Sequence, residues 1–374
     1  VTLSIGIRGG GLAGMAVADA LTQRVPNCSV HIFDKRERLP HPERTFCFFG
    51  GSAIKEFNLP IAKEWPKVLF AGANFKRICD SSQRPYSIVH GEEYFSKTLS
   101  VLEARGVKFS WQELKVEISP NTITTNNSNY RFDIVIDTAF DVSEAKSLLW
   151  QSFAGHWITT ASDRFEPGVA TLMEVKPSSH RQSINFIYIL PMSARAALVE
   201  HTSFCAEPMA PKWHLDLSER WLEEKGIADW QISRTENGLI PMGLAVSNRI
   251  PGVISIGSSA GSIRASTGYA FLKILRQSQE IASYVAQTKT GSGLESGNFV
   301  PSEYPIWMKL SDQIFLRALR NMPELGADII SNLLERAPEK ALIRFLAGEA
   351  DILSALRVML AAPKTAMLRA LSYA

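Results

Sequence analysis

What this sequence lacks narrows it first. Its 374 residues carry four cysteines, Cys28, Cys47, Cys79 and Cys205, none of them in a Cys-x-x-Cys pair. Thiols so few and so scattered build neither a disulfide framework nor a zinc module, and no metal site is expected. A reducing, cytoplasmic setting is the expectation. No charge of one sign dominates: 40 Lys and Arg against 37 Asp and Glu leave +3. That gives no concentrated basic face for nucleic acid. No apolar run reaches the roughly 18 residues that span a bilayer, and no basic segment leads into an apolar stretch and a cleavage site. Apolar residues themselves are not scarce. Hydrophobic residues make up 45% and charged residues 21%, proportions that exclude disorder as the main state. The length suits about two to three domains, and there is no internal repeat.

Turning to what is present, Val1–Ile7 reads as a strand, Gly9-x-Gly11-x-x-Gly14 as a turn, and Met15–Leu21 as an apolar helix. A second strand, Ser29–Phe33, ends at Asp34. In such a β-α-β unit the first glycine permits the tight turn, the second admits a pyrophosphate, and the third lets helix pack on strand. Phosphate then meets the helix N-terminus, beside Leu12 and Ala13 of the turn. Asp34, 20 residues after Gly14, stands where an acid bonds ribose hydroxyls. NAD and FAD share this fingerprint. FAD is favoured because a second strand-and-glycine element, Val253–Gly257 running into Gly261, comes late in the chain.

Between these elements the chain from Arg38 to Arg84 reads as Pro-rich and irregular. A helix is expected over Glu92–Gly106, and strands over Val107–Trp111, Ile118–Thr125 and Phe132–Asp137. Val169–Val175, Asn185–Leu190 and Ala197–Thr202 read as three strands of one sheet. Trp213–Lys225 and Thr267–Ala286 read as helices, Gly291–Gly297 as a linker, and the rest as helical. The fold class is therefore α/β: a Rossmann-like FAD-binding domain, an antiparallel-sheet substrate domain and a C-terminal helical region. The corresponding divisions are 1–150 with an irregular insertion at 38–90, 151–245, 246–290 and 300–374.

The ordered set of motifs resembles the lycopene cyclase family of flavin-binding carotenoid enzymes. Ile7–Gly14 looks like its N-terminal FAD motif, and Arg44–Phe49 like its His-Thr-Trp-x-Phe stretch, with Arg44 at the His. Gln151–Trp157, Thr171-Leu-Met-Glu174, Phe186–Ser193, Ala197-Leu-Val-Glu-His-Thr202 and Gly238–Met242 are similar to further segments, as are Gly257–Phe271 and Leu342–Met359. The chain departs from the family at three further places besides Arg44. His201 replaces a second acid, Asp137-Thr-Ala-Phe140 replaces Asp-x-Arg-Gly, and Arg264-Ala-Ser-Thr267-Gly268 replaces His-Pro-x-Thr-Gly. The resemblance covers essentially the whole chain. It implies FAD held by Arg44, Asp137, Thr267 and Gly268 besides the glycines, and active when reduced by electrons from NADPH. It also implies a carotenoid or other acyclic polyene as substrate.

That reaction adds a proton to a terminal double bond, closes a ring on the cation and loses a proton. It needs a carboxylic acid still protonated near neutrality, whose pKa must rise by about two units or more through burial. Glu200 is the first candidate, with Glu174 as a second acid or counter-charge and His201 as a proton carrier. Trp157, Phe153, Phe186, Tyr188 and Tyr269 could offer faces to the cation. Ile352–Ala374, apolar with Arg357, Lys364 and Arg369 and no acid, suits an interfacial pair of helices and hence a peripheral membrane contact. Two rivals stay open. One is a flavin-dependent hydroxylase or double-bond reductase acting on an apolar substrate, and the other is a lipid-binding relative without activity.

Overall fold

Strands that are apolar on both faces need cover on both sides, and the N-terminal segment meets that requirement. A computed structural model of the chain describes residues 2–38, 44–126, 128–176, 183–243, 249–288, 299–364 and 369. The chain opens with strand β1 (Leu3–Arg8), helix α1 (Leu12–Arg24) and β2 (Cys28–Phe33). Five short strands follow: β3 (Thr45–Phe49), β4 (Lys63–Trp65), β5 (Lys67–Gly72), β6 (Phe75–Asp80) and β7 (Tyr86–His90), with one helical turn, α2 (Ala53–Glu56), after β3. Next come α3 (Gly91–Ala104), β8 (Lys108–Ser110), a meander of β9 (Val116–Ser119), β10 (Thr122–Thr125) and β11 (Asn129–Arg131), and then β12 (Ile134–Asp137). The long strands β13 (Leu149–Thr160), β14 (Val169–Lys176), β15 (Ser183–Pro191) and β16 (Ala196–Cys205) lead to α4 (Pro211–Glu224) and β17 (Trp230–Met242). After β18 (Val253–Ser255) and α5 (Phe271–Thr288), the helices α6 (Ile306–Asn321), α7 (Pro323–Arg336), α8 (Glu339–Leu346) and α9 (Ile352–Met359) complete the described elements.

The strands sort into layers. A parallel sheet runs β18-β12-β1-β2-β8. Helices α1, α3 and α5 cover one face through Met15, Leu21, Leu99, Leu102 and Ile281, and the meander covers the other through Ile123 and Tyr130. The second layer is a seven-stranded sheet, β17-β13-β16-β15-β14-β5-β6, antiparallel except where β5 joins β14. Helix α4 packs on one of its faces through Trp221 and Leu222. The opposite face meets α6, α7, α8 and the small sheet β3-β7-β4. This is the α/β class read from the sequence, with its Rossmann-like sheet, antiparallel sheet and C-terminal helices.

Some local expectations differ. The segment 38–84 is not irregular where it is described. Pro60, Pro66 and Pro85 stand between short strands rather than inside them, where their missing N–H groups cost no ladder bond. Val68, Phe70 and Cys79 are buried, and Lys67–Gly72 pairs onto β14, so this stretch extends the large sheet. Ile118–Thr125 is two strands turned at Pro120 and Asn121. Helix α5 begins at Phe271 rather than Thr267, because Gly268 takes a φ of +73° and leaves Thr267 in a loop. The expected linker at Gly291–Gly297 lies outside the described residues.

Arg264, on the loop before α5, pins the C-terminal helices. It is 1% exposed and pairs with Asp312 of α6, Nε to Oδ2 at 3.3 Å. It also donates to the Phe345 carbonyl and lies 4.3 Å over the Phe345 ring. Removing Asp312 would strand a buried guanidinium. Asp312→Ala is expected to lower unfolding free energy by about 3–5 kcal/mol, read as a fall in the urea midpoint at unchanged slope.

Candidate active site

The glycine turn after β1 is held by contacts that exclude side chains. Gly9 takes a φ of +101°, and a Cβ there would lie 2.5 Å from Thr138 Oγ1. A Cβ on Gly14 would lie 1.9 Å from the Gly9 carbonyl oxygen, so α1 sits directly on the turn. Gly11 caps α1, whose first turn holds no acid, and the N–H groups of Leu12, Ala13 and Gly14 have no helical acceptor. Gly9, Gly11, Leu12 and Ala13 line a cavity of ≈ 1090 Å³. The late turn reaches the same place. Gly257 (φ +100°) packs toward Ala13, and Gly261 (φ +86°) shapes the turn behind it. Thr267 and Gly268 line the wall, and the hydroxyls of Ser266 and Thr267 are buried with no hydrogen-bond partner among the described residues. A helix N-terminus, tight glycines and unpaired buried hydroxyls together fit a dinucleotide.

Asp34 is at the expected strand end, but its oxygens are engaged. They accept from Gly10 N, and from Arg36 N at 2.8 Å, Nε at 2.7 Å and Nη2 at 2.6 Å. Burial pushes its pKa up, but the Arg36 hydrogen bonds and charge outweigh that and hold the carboxyl below the usual range. Arg36, unmarked by the fingerprint, thus faces the space beside Gly11. Arg44 lines the same end and carries no ion pair among the described residues. Enclosure by protein and then the like charge of Arg36 depress its pKa. Two guanidiniums at a helix N-terminus make an anion site. Asp137 stands off the wall. It bridges β12 to β1 through Arg8, at 2.8 and 2.6 Å, while Thr138, Ala139 and Phe140 line the cavity.

Side-chain parity in the large sheet sorts the candidate acids. Successive residues of a strand face opposite sides. Tyr188, Glu200, Gly155 and Glu236 lie in register across β15, β16, β13 and β17, and all but Gly155 are on the cavity wall. The adjacent row, Glu174, Ile187, His201 and Ala154, faces α4. The structure therefore separates Glu174 and His201 from Glu200. Glu174 accepts from Trp221 Nε1 at 3.2 Å and pairs with Lys176 and Lys225 at 3.0 and 3.2 Å. Burial pushes its pKa up, and these partners bring it below the usual value.

Glu200 is 6% exposed and accepts from Thr202 Oγ1 at 2.8 Å. Burial, then the nearby Glu236 charge, push its pKa well above the ordinary value. Glu236, which the sequence reading did not single out, is 4% exposed. Three phenols close the wall beside Glu200: Tyr86 and Tyr188 hydroxyls are 3.0 Å apart, and Tyr269 donates to Tyr86 at 3.1 Å. Beyond them the cavity turns apolar, with Phe70, Leu172, Phe204, Phe315, Ile330 and Leu334. Val358 and Met359 of α9 line it as well.

Behind the sheet, His201 Nδ1 meets His214 Nδ1 at 2.9 Å, and His214 Nε2 meets Ser152 Oγ at 2.9 Å. Burial, then the neighbouring imidazole, lower the His201 pKa to about 3, and burial lowers that of His214 to about 4. The unfolded chain binds these protons near pH 6.5. Stability supplied by the neutral pair is therefore present above that pH and lost as pH falls toward 4. The thermal midpoint is expected to drop over this window, and less steeply in His201→Asn/His214→Gln. Equal slopes in the two proteins would contradict the assignment.

Among the described residues there is no cluster able to hold a metal and no helix long and apolar enough to cross a membrane. A sequence profile described as lycopene cyclase protein matches residues 5–372. The chain is 25% identical over 365 residues to the lycopene beta cyclase, chloroplastic/chromoplastic, of Capsicum annuum, spanning 89% of this chain and 70% of that protein. Among solved structures it is similar to a tetrameric form of 2-methyl-3-hydroxypyridine-5-carboxylic acid oxygenase, with TM-score 0.60, 14% identity and 96% of each chain covered. It is also similar to CtdE in complex with FAD and substrate, with TM-score 0.59, 11% identity and 98% and 99% coverage. These two likenesses concern the fold.

Proposed function

The chain belongs to the lycopene cyclase protein family, and from that premise we propose that it closes an end ring of an acyclic carotenoid, lycopene or a similar polyene, with no net redox change. One observation carries the reading. Glu200, a buried acid with its pKa raised, stands on the wall of one cavity lined both by the dinucleotide cradle and by apolar side chains.

Glu200 is the general acid. Its O–H adds a proton to the terminal double bond, and the neighbouring double bond attacks the cation to form the ring. The Glu200 carboxylate then takes a proton from the carbon beside the cation, restoring acid and neutral product. Such a donor contributes about 10²- to 10⁴-fold. The faces of Tyr188, Tyr86 and Tyr269 stabilise positive charge, and the apolar wall excludes water that would trap the cation.

FAD fits the polar end. Gly9, Gly11, Leu12 and Ala13 would hold its pyrophosphate with Arg36 and Arg44, and Gly257, Thr267 and Gly268 its far half. Bound and reduced by NADPH, it would supply negative charge toward the cation. The substrate is lipid-soluble, and α9 supports a peripheral lipid contact at the cytoplasmic surface of a membrane. It exposes Ile352, Leu353 and Leu356 while Val358 and Met359 line the cavity.

The deciding experiment expresses the chain in a bacterium that accumulates lycopene and weighs the pigments. A cyclic product of unchanged mass is expected. A product altered by oxygen or hydrogen, with stoichiometric NAD(P)H consumption, would establish the oxidoreductase rival instead.

A further inference from the structure

Two carboxyls buried on one wall require an account of where their protons are. Glu200 and Glu236 are both register partners of Gly155, one on each side of β13. Neighbouring strands lie about 4.8 Å apart, so two strand spacings separate the glutamate backbones, and the intervening residue places no side chain between them. A Cβ on Gly155 would come within 2.8 Å of Glu200 Cβ and 2.5 Å of the Val199 carbonyl oxygen.

The two carboxyls are held differently. Glu236 Oε1 accepts from Thr45 Oγ1 at 2.9 Å, and Oε2 accepts from Trp157 Nε1 at 2.8 Å and Arg234 Nη2 at 3.3 Å. The Arg234 guanidinium also stacks over the Trp157 ring at 4.8 Å, which fixes the two side chains that grip Oε2. Glu200 has a single donor, the Thr202 hydroxyl, on its own strand. Burial raises both carboxyls, but at Glu236 the Trp157 and Thr45 hydrogen bonds and the Arg234 charge pull back toward the ionised form, whereas at Glu200 only the Thr202 hydroxyl opposes burial and the Glu236 charge, which together push it well above the usual range.

We propose that Glu236 is the positioning residue that keeps Glu200 protonated: the two carboxyls flanking Gly155 hold one proton between them, resident on Glu200, with Glu236, gripped by Thr45, Trp157 and Arg234, the carboxylate of the pair. The inference rests on the cyclase reading and deepens it. When Glu200 gives its proton to the polyene, two carboxylates face the cation. Their mutual repulsion then favours return of a proton to Glu200 when the ring loses one. Glu200 gives one proton to the polyene and takes another from the ring, so no electron or hydrogen is gained overall.

The other groups packed against the pair do not compete for this proton. From β3, the Cys47 thiol is pushed up by burial, and the Tyr86, Tyr188 and Tyr269 phenols are raised by burial as well. All four are neutral at pH 7. From β7, the His90 ring lies tilted 5.5 Å from that of Trp157, and burial, then Arg234, lower its pKa. That leaves Arg234 as the facing cation and Glu236 as the facing anion.

The test is an infrared pH titration of the protonated-carboxyl band of the purified flavoprotein, followed alongside lycopene conversion. A buried carboxyl band is expected at neutral pH and should be lost in Glu200→Gln. In Glu236→Gln it should disappear at least one pH unit lower than in the parent, a tenfold fall in proton affinity, with the alkaline limb of ring formation moving in step. Glu236→Asp, which keeps the charge, should restore most of the shift. If Glu236→Gln does not fold, Glu236→Met fills the same space and carries the same expectation. An unchanged titration in the Gln or Met variant overturns the proposal, as does a band that survives Glu200→Gln and vanishes in Glu236→Gln. Absence of cyclised product from the parent, with the titrations as expected, would remove the cyclase reading and leave the shared proton standing.

Discussion

Glu200→Gln is expected to give a folded, flavin-bearing protein that forms rings at least about 100-fold more slowly. The amide keeps the volume of the carboxyl and can still accept from the Thr202 hydroxyl at 2.8 Å, so the β16 wall should stand. What it cannot do is supply the proton. Burial and the Glu236 charge hold that proton on Glu200 far above the usual carboxylate range, while the Glu236 oxygens are engaged by Thr45, Trp157 and Arg234. Conversion rate, flavin absorbance and far-ultraviolet circular dichroism, measured together, separate lost chemistry from lost folding. A variant within threefold of the parent rate would mean that another group donates the proton.

Gly14→Ala has the second large effect, at the opposite end of the cavity. The new Cβ would lie 1.9 Å from the Gly9 carbonyl oxygen. Helix α1 must then lift from the turn that aims its free N–H groups. Overpacking of this kind costs about 1–3 kcal/mol or more, and here the cost falls on the phosphate cradle. Flavin affinity, read as flavin content after purification, is expected to fall by about 5- to 150-fold, since each 1.4 kcal/mol is tenfold in affinity. Gly11→Ala makes the contrast. Its Cβ meets nothing nearer than Arg36 Nη2 at 3.5 Å, so the fold should hold while cofactor affinity falls. Equal flavin content in Gly14→Ala and the parent would exclude this cradle as the flavin site.

The glycine cradle was legible because its demands are local. A left-handed turn, a bare helix start and an acid at the next strand end lie within one β-α-β unit. Glu200 was legible as an acid in an apolar strand. Strand alternation also bore on its neighbours, since adjacent residues such as Glu200 and His201 cannot both face one cavity. Glu236 was not legible. Its partnership with Glu200 depends on both strands pairing with β13, and nothing local to Gly238–Met242 announces that register. Arg36 escaped notice because the fingerprint marks the acid and not the cation that holds it. In 38–84, frequent prolines hid strands too short to show a period, and β5 and β6 find their sheet only through β14.

That last pairing has a consequence for how the chain is made. Lys67 of β5 pairs in register with Val169 of β14, about a hundred residues later. During synthesis at about 5–20 residues per second, the β5–β6 hairpin leaves the ribosome roughly 5 to 20 seconds before its sheet partner exists. Throughout that interval Val68 and Phe70, both buried in the finished fold, have no completed core to enter. A nascent chain halted before β14 should therefore hold its β5–β6 segment open to proteases and chaperones, and release of the remaining strands should close it.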